Sequence, residues 1–222
     1  MENNMERHSR ILTDEEVTAL SERVRPYLTG KRYEHTVAVA EEAARLGEIY
    51  LPEKTNNLRA AALLHDITKK ADFQKQLQYC EEFGIITGSD DLLSPKVFHA
   101  VTGAALAERD FGDIVDDEIL SGIRWHTTGR EGMTVFDAII YLADYIEPTR
   151  TFDDCIRVRR CFWDGIREGR DRYEVLRDTM IYSFDLTIES LLREGALIDR
   201  DTIAARNAYL AQKLRDTDTA EH

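Results

Sequence analysis

The chain has 222 residues, 43% of them hydrophobic and 32% charged, a balance that supports a sizeable core and excludes disorder over most of its length. Only 4 Pro and 12 Gly interrupt it, which favours long helices over sandwiches or barrels built from short strands and tight turns. Lys and Arg total 29 against 42 Asp and Glu, so the net charge of -13 repels polyanions and argues against nucleic acid as a main partner, while a small phosphate ligand stays compatible with a cleft whose local cations dominate.

No apolar stretch approaches the roughly 20 residues of a membrane helix. The opening MENNMERHSR has no apolar segment followed by a small-residue cleavage site, so no secretory signal is read there and a cytoplasmic location is expected. Cys80, Cys155 and Cys161 are odd in number and lack C-x-x-C spacing, as expected of reduced structural thiols.

In LTDEEVTAL, Thr13 and Glu16 stand at capping-box spacing and open a helix expected to run to about Pro26, with a turn following at Thr29-Gly30. From Tyr33 to Tyr50, Glu34, Glu41, Arg45 and Glu48 share one stripe while Val37, Val39, Ala40, Ala43 and Leu46 fall on other faces. This is an amphipathic helix with His35 in its first turns. Leu51-Pro52 breaks it. NNLRAAALLHDI is then apolar almost all round, the mark of a central buried helix, and His65 and Asp66 stand at its end. Residues 71 to 93 are mixed, contain GIITGSDD and read as an irregular connection. Ser94 as N-cap and Pro95 at the first helical position launch a helix through Val101 to Glu108, with His99 in its first turns.

FGDIVDDEIL restarts a helix on which Ile119, Ile123 and His126 share a face. TTGREGM breaks the pattern, and VFDAIIYLADYI is a strongly apolar helix ended by Pro148, with Asp144 in its final turns. Residues 149 to 177 hold eight arginines against six Asp and Glu and read as mostly solvated helical surface. Leu176, Met180, Ser183, Phe184, Thr187 and Leu191 mark a helix over 173 to 194 with Gly195 as its cap, and Ile203, Asn207, Leu210 and Leu214 mark a last one before a frayed DTDTAEH. With no repeat, low-complexity run or linker, the whole reads as a single all-α domain.

Six histidines occur, two near the termini, and the four internal ones all fall on helices with apolar faces. His35, His65, Asp66, His99, His126 and Asp144 offer imidazoles and carboxylates, ligand types that suit iron, manganese or zinc. They come from five helices, and helical proteins build metal sites by converging side chains from facing helices. A lone helical histidine is ordinarily a packed, hydrogen-bonded residue. The carboxylates decide the reading: Asp66 and Asp144 sit on ALLHD and YLAD, where an ionised carboxylate is costly unless paired or metal-bound. One divalent cation shared with His35 and His65 compensates both.

The segments RYEHT (32 to 36), AALLHDITK (61 to 69), FHAVTGA (98 to 104), IRWHTTGR (123 to 130) and LADYIEPTR (142 to 150) resemble the HD-domain metal-dependent phosphohydrolase superfamily, whose ligands run in the order H…HD…D. More narrowly, HTTGR combined with ADYIEPTR resembles the YqeK-type family of symmetrical dinucleoside tetraphosphate hydrolases. The likeness runs from about Gly30 to Arg160. It departs at Thr68, where alanine is more usual, and beyond about residue 195, which looks like a C-terminal helical extension (196 to 222) on a core of about 30 to 195. Neither departure is expected to touch the site.

The resemblance implies an all-α helical bundle with a metal site in its core, ligated by His35, His65, Asp66 and Asp144. Iron is the implied ion, one per site, or two if His99 and His126 hold a second instead of facing the phosphates. It implies nucleotide contacts from Arg32, Asp66, Lys69, His99, His126, Thr127, Asp144 and Arg150, with Asp66, Lys69, His99 and His126 in catalytic roles. Arg and Lys suit this because they donate charge-assisted hydrogen bonds to phosphate oxygens. The implied reaction is hydrolysis of diadenosine tetraphosphate to two ADP, GDP being the product from the guanosine analogue, and a homodimer is left open. Glu147 is expected at the surface or behind the ligands, and Trp125 in the core sooner than stacked on a base. The alternatives at this point are another HD-type phosphohydrolase acting on a mononucleotide or cyclic nucleotide, a di-iron oxygenase, and a nucleotide-sensing module.

Overall fold

The computed structural model describes residues 10 to 86 and 95 to 220. Ten α-helices follow one another in them: α1 Asp14–Val24, α2 Gly30–Tyr50, α3 Thr55–Leu64, α4 Phe73–Glu82, α5 Phe98–Asp110, α6 Asp117–Trp125, α7 Val135–Ile146, α8 Asp153–Arg167, α9 Arg172–Glu194 and α10 Arg200–Ala220. The all-α expectation holds. Helix starts follow from side-chain oxygens that accept the otherwise unpaired N–H groups of a first turn. Thr13 and Thr134 close capping boxes with Glu16 and Asp137, and Asp72, Asp116 and Asp171 cap α4, α6 and α9. At the other end of α9, Gly195 takes the left-handed conformation (φ 63°) that ends a helix cheaply only when no Cβ is present.

The two helices that read as apolar form the middle of the bundle. In α3, Leu58, Ala60, Ala61, Ala62, Leu63 and Leu64 are buried, as are Ile139, Ile140, Leu142 and Ala143 in α7. Each large side chain so buried contributes about 1.5–3 kcal/mol. α2 lies along α3 and α7, and α6 packs against α3, α5 and α7. The polar ends of these buried helices are thereby brought to one place.

Several local expectations are corrected. Thr29-Gly30 is the start of α2 and not a separate turn, since Thr29 Oγ1 accepts the Arg32 N–H at 3.4 Å. The segment read as irregular contains α4, whose buried positions are Gln76 and Cys80, too few and too polar for an apolar period. The rest of that segment from residue 87, with the Ser94 helix start, lies outside the described residues; α5 is entered from a 3-10 turn at Pro95–Val97. Residues 149 to 177 are mostly surface, as read, and the inner face of α8 buries Cys155, Val158, Phe162 and Gly165. Its Arg159 also donates to the carbonyls of Ile146 (2.6 Å), Glu147 and Arg150 (2.8 Å), tying down the turn after α7.

α10 runs on through Ala220, where fraying is expected from DTDTAEH, and is pinned to α9 by Arg206–Asp185, Lys213–Asp178 and Arg177–Asp216. Cys80, Cys155 and Cys161 are free thiols. Among the described residues no helix is long and apolar enough to cross a membrane.

The loop after α6 is wedged between α9 and α10. Gly129 has φ 65°, and a Cβ there meets Phe184 Cζ at 2.7 Å and Ala205 Cβ at 3.0 Å. Gly129→Ala therefore combines backbone strain with a clash that a packed aromatic ring cannot relieve, and about 2–4 kcal/mol of destabilisation is expected in chemical denaturation. A change under about 0.5 kcal/mol would show that the loop gives way freely.

Candidate metal centre

His35 comes from the second turn of α2, Asp144 from the last turn of α7, and His65 and His126 are the C-cap residues of α3 and α6. Asp66 and Lys69 lie in the turns after α3, and His99 is the second residue of α5. The fold brings all of them together. His35 Nε2 lies 3.0 Å from Asp144 Oδ1, His65 Nε2 lies 3.7 Å from the same oxygen and 3.5 Å from Asp66 Oδ2, and Asp66 Oδ1 lies 3.3 Å from His99 Nε2 and 3.7 Å from His126 Nε2. Arg32 donates to Asp66 Oδ2 at 2.9 Å, and Arg150 donates to Asp144 Oδ1. Lys69 Nζ is 2.8 Å from His99 Nε2, and the Thr127 hydroxyl sits 3.2 and 3.1 Å from the Nε2 atoms of His99 and His126.

Proton positions follow from the partners. The Nδ1 atoms of His65, His99 and His126 face the carbonyls of Ala62 (2.6 Å), Lys96 (2.8 Å) and Ile123 (2.7 Å), which only accept, so each Nδ1 carries hydrogen. Burial pulls His65 down to about 4, against the pull of Asp66 and Asp144, and His99 likewise to about 4. Both are neutral at pH 7, with the Nε2 lone pair turned inward. His35 moves the other way: burial opposes its charge, but Asp144 and Glu147 raise it to about 9. Burial also opposes ionisation of Asp66 and Asp144; the imidazoles and Lys69 hold the first carboxyl well below its usual range, and Arg150 with His35 holds the second there. Lys69 is pushed down by burial.

These groups fit a metal. His35 Nε2, His65 Nε2 and Asp66 Oδ1 are buried and form no hydrogen bond of proper geometry. One ligand atom from each of His35, His65 and Asp144 lies within 4.8 Å of the others, and the same is true of His65, Asp66 and His126. Lone pairs and carboxylate oxygens crowded in a low-dielectric site are costly on their own, and a divalent cation resolves the crowding. The imidazole and carboxylate set suits iron, manganese or zinc.

A sequence model described as the HD domain matches residues 32 to 149, from Arg32 to Thr149. The chain belongs to the HD domain family. Curated relatives within reach of this HD chain include a symmetrical bis(5'-nucleosyl)-tetraphosphatase of Staphylococcus aureus, 35% identical over 82% of this chain and 88% of that one. A protein of the same name from Halalkalibacterium halodurans is 34% identical over 86% and 95%. Among solved structures, a predicted HD superfamily hydrolase involved in NAD metabolism from Clostridium acetobutylicum superposes with a TM-score of 0.78 at 32% identity, over 91% of this chain and all of that one.

Arg32, His35, His65, Asp66, Lys69, His99, His126, Thr127, Asp144 and Arg150, the candidate site residues, all stand at the centre or in contact with it. Three further features sharpen or correct that reading. Of the two places expected for Glu147 the structure takes the inner one: it is fully buried behind His35, its Oε1 3.1 Å from His35 Nδ1. Its one sequence signal is the i, i+3 spacing from Asp144, which places both on one side of the helix end. Thr68, expected to leave the site untouched, donates to the His99 carbonyl at 2.9 Å, and α10 reaches the loop of His126 through Ala205. Trp125 is half-buried, with the Arg124 guanidinium 4.0 Å over its ring, and not a core residue.

Proposed function

We propose that this chain is a metal-dependent hydrolase that cleaves diadenosine tetraphosphate and related dinucleoside polyphosphates symmetrically, into two nucleoside diphosphates. The observation that carries the metal half of this reading is the convergence of buried His35 Nε2, His65 Nε2 and Asp66 Oδ1, none in a hydrogen bond of proper geometry, on the carboxylate of Asp144. The substrate half rests on the likeness to symmetrical tetraphosphatases over most of both chains. His35, His65, Asp66 and Asp144 hold the ion, which we assign as iron, with His99 and His126 positioned for a second ion or for phosphate. Such an ion supplies a water of lowered pKa and positive charge beside the phosphorus.

The chain's own residues do the rest. Arg32, Lys69 and Arg150 ring the centre and bind phosphate oxygens by charge-assisted hydrogen bonds, spreading positive charge over a tetraphosphate that water would otherwise solvate. Asp66, or a neighbouring histidine, orients the attacking water. The Thr127 hydroxyl donates to the phosphate chain and fixes its register, His99 and His126 face that chain and donate from Nε2 once they take up a proton beside it, and the leaving group departs as a nucleoside diphosphate. No covalent intermediate on the protein is required. The same reading makes the chain one HD-type domain with a core of about 30 to 195 and a helical extension from 196 to 222. It acts in the cytoplasm on a small molecule, apart from nucleic acid and membrane.

The test is product identity over a panel of dinucleoside polyphosphates, mononucleotides and cyclic nucleotides, in water enriched with heavy oxygen. Diadenosine tetraphosphate is expected to give ADP alone, with label in one of the two molecules. AMP plus ATP would place the phosphate chain in a different register, and turnover confined to a mononucleotide or cyclic nucleotide would replace the substrate.

A further inference from the structure

Four imidazoles turn Nε2 toward the centre, and for three of them the cause is local. His65 and His126 close helices, and His99 follows a 3-10 turn, so each finds the carbonyl three residues back open to its Nδ1–H. His35 has no such neighbour. It lies inside α2, where the carbonyls of the preceding turn take the helix's own N–H groups. Its Nδ1 acceptor comes from 112 residues away, Glu147 Oε1 at 3.1 Å.

Glu147 is built to stay there. It is fully buried, its Oε2 accepts the Thr149 N–H at 2.6 Å, its Oε1 accepts the Thr149 hydroxyl at 2.7 Å, and its carbonyl is held by Arg159. A carboxylate so anchored is a costly thing to bury for packing alone. We propose that Glu147 is a positioning residue that holds the His35 Nδ1–H, so that when an ion displaces the Nε2 proton shared with Asp144 the freed lone pair faces the centre, making His35 a carboxylate-backed ligand in a set whose other imidazoles are backed by carbonyls. A carboxylate behind a ligand imidazole fixes its orientation and raises its basicity, and loss of such a partner typically costs 10–100-fold in metal affinity. The inference rests on the metal reading above and adds a residue to it.

The test measures metal affinity of the full chain by competition with a chromophoric chelator, using Zn2+ and Fe2+ under anaerobic conditions, beside the long-range 1H–15N spectrum of the zinc-loaded chain. Glu147→Ala is expected to lose about 10- to 100-fold in affinity and the slowly exchanging His35 Nδ1 proton. Glu147→Gln, which preserves shape and an acceptor oxygen and guards against a failure to fold, is expected to keep the proton signal and recover most of the affinity. Thr149→Val removes a hydroxyl from Glu147 while leaving His35 bonded, and is expected to bind within about twofold of wild type, on the scale of a few tenths of a kcal/mol.

Wild-type affinity in Glu147→Ala with an unchanged proton signal overturns the proposal alone. So does an equal loss in Thr149→Val, which would mean that Glu147 acts by placing the loop and not the imidazole. Failure of the wild-type chain to bind either ion overturns the metal reading and this one with it.

Discussion

Replacing Asp66 by Ala is expected to abolish metal retention and hydrolysis together, with kcat/KM falling at least on the order of 10³-fold, about 4 kcal/mol in the barrier. Asp66 is 2% exposed and touches more of the centre than any neighbour: Arg32 at 2.9 Å, His99 at 3.3 Å, His65 at 3.5 Å, His126 at 3.7 Å and Lys69 at 3.8 Å. On the proposed reading its removal takes away a ligand oxygen, and it also removes the counter-charge beside Arg32 and Lys69. Asp66→Asn separates the two effects, since it keeps the shape but supplies no anionic oxygen, and it should lose metal while melting near wild type. Elemental analysis of the anaerobically purified variants, set beside their product yields, is the measurement. Full activity in metal-depleted Asp66→Ala would sink the metal-hydrolase reading.

The reach of the sequence differs from element to element for physical reasons. α3 and α7 are legible because a helix apolar all round has nowhere to go but the middle of a bundle, and the carboxylates at their ends then demand an explanation. Thr13 with Glu16 marks the start of α1 because a capping box is a contact between residues three apart, written in the chain itself. α4 is hidden because its inner face is Gln76 and Cys80, and Gln76 is held there by Thr68 and Thr102, partners that no local pattern reveals.

For Glu147 the sequence leaves two places open, surface or behind the ligands, and what chooses between them is remote in the same way. Glu147 follows α7 directly and precedes Pro148, where a chain ordinarily turns to solvent, and its burial depends on Arg159 from the next helix and His35 from more than a hundred residues before. The atoms proposed as ligands are only half legible. Sequence supplies the imidazoles, whereas which nitrogen faces the centre depends on carbonyls left open where helices end and where a 3-10 turn leads into α5.

Lys69→Ala is expected to leave metal content unchanged and to lower kcat at least tenfold, about 1.4 kcal/mol in the barrier. The ammonium is no metal ligand, yet it stands 2.8 Å from His99 Nε2 and 3.8 Å from Asp66, and its side chain keeps 36% of its surface open. That combination distinguishes it from Asp66. A group buried against the centre at one side and open at the other is placed to meet an incoming phosphate, and burial already weakens its hold on a proton. Charge on the phosphate oxygens shifts toward the leaving group as the bond breaks, so a cation fixed there matters more in the transition state than in the bound substrate. The loss should therefore fall on kcat more than on KM. Steady-state kinetics on Lys69→Ala and on Lys69→Arg, with metal content measured in the same preparations, decide it. Lys69→Arg restores the charge but not its shape, and should recover part of kcat. An unchanged kcat in Lys69→Ala would reduce Lys69 to a partner of His99, and equal loss of metal and rate would make it a support for the centre in place of a phosphate ligand.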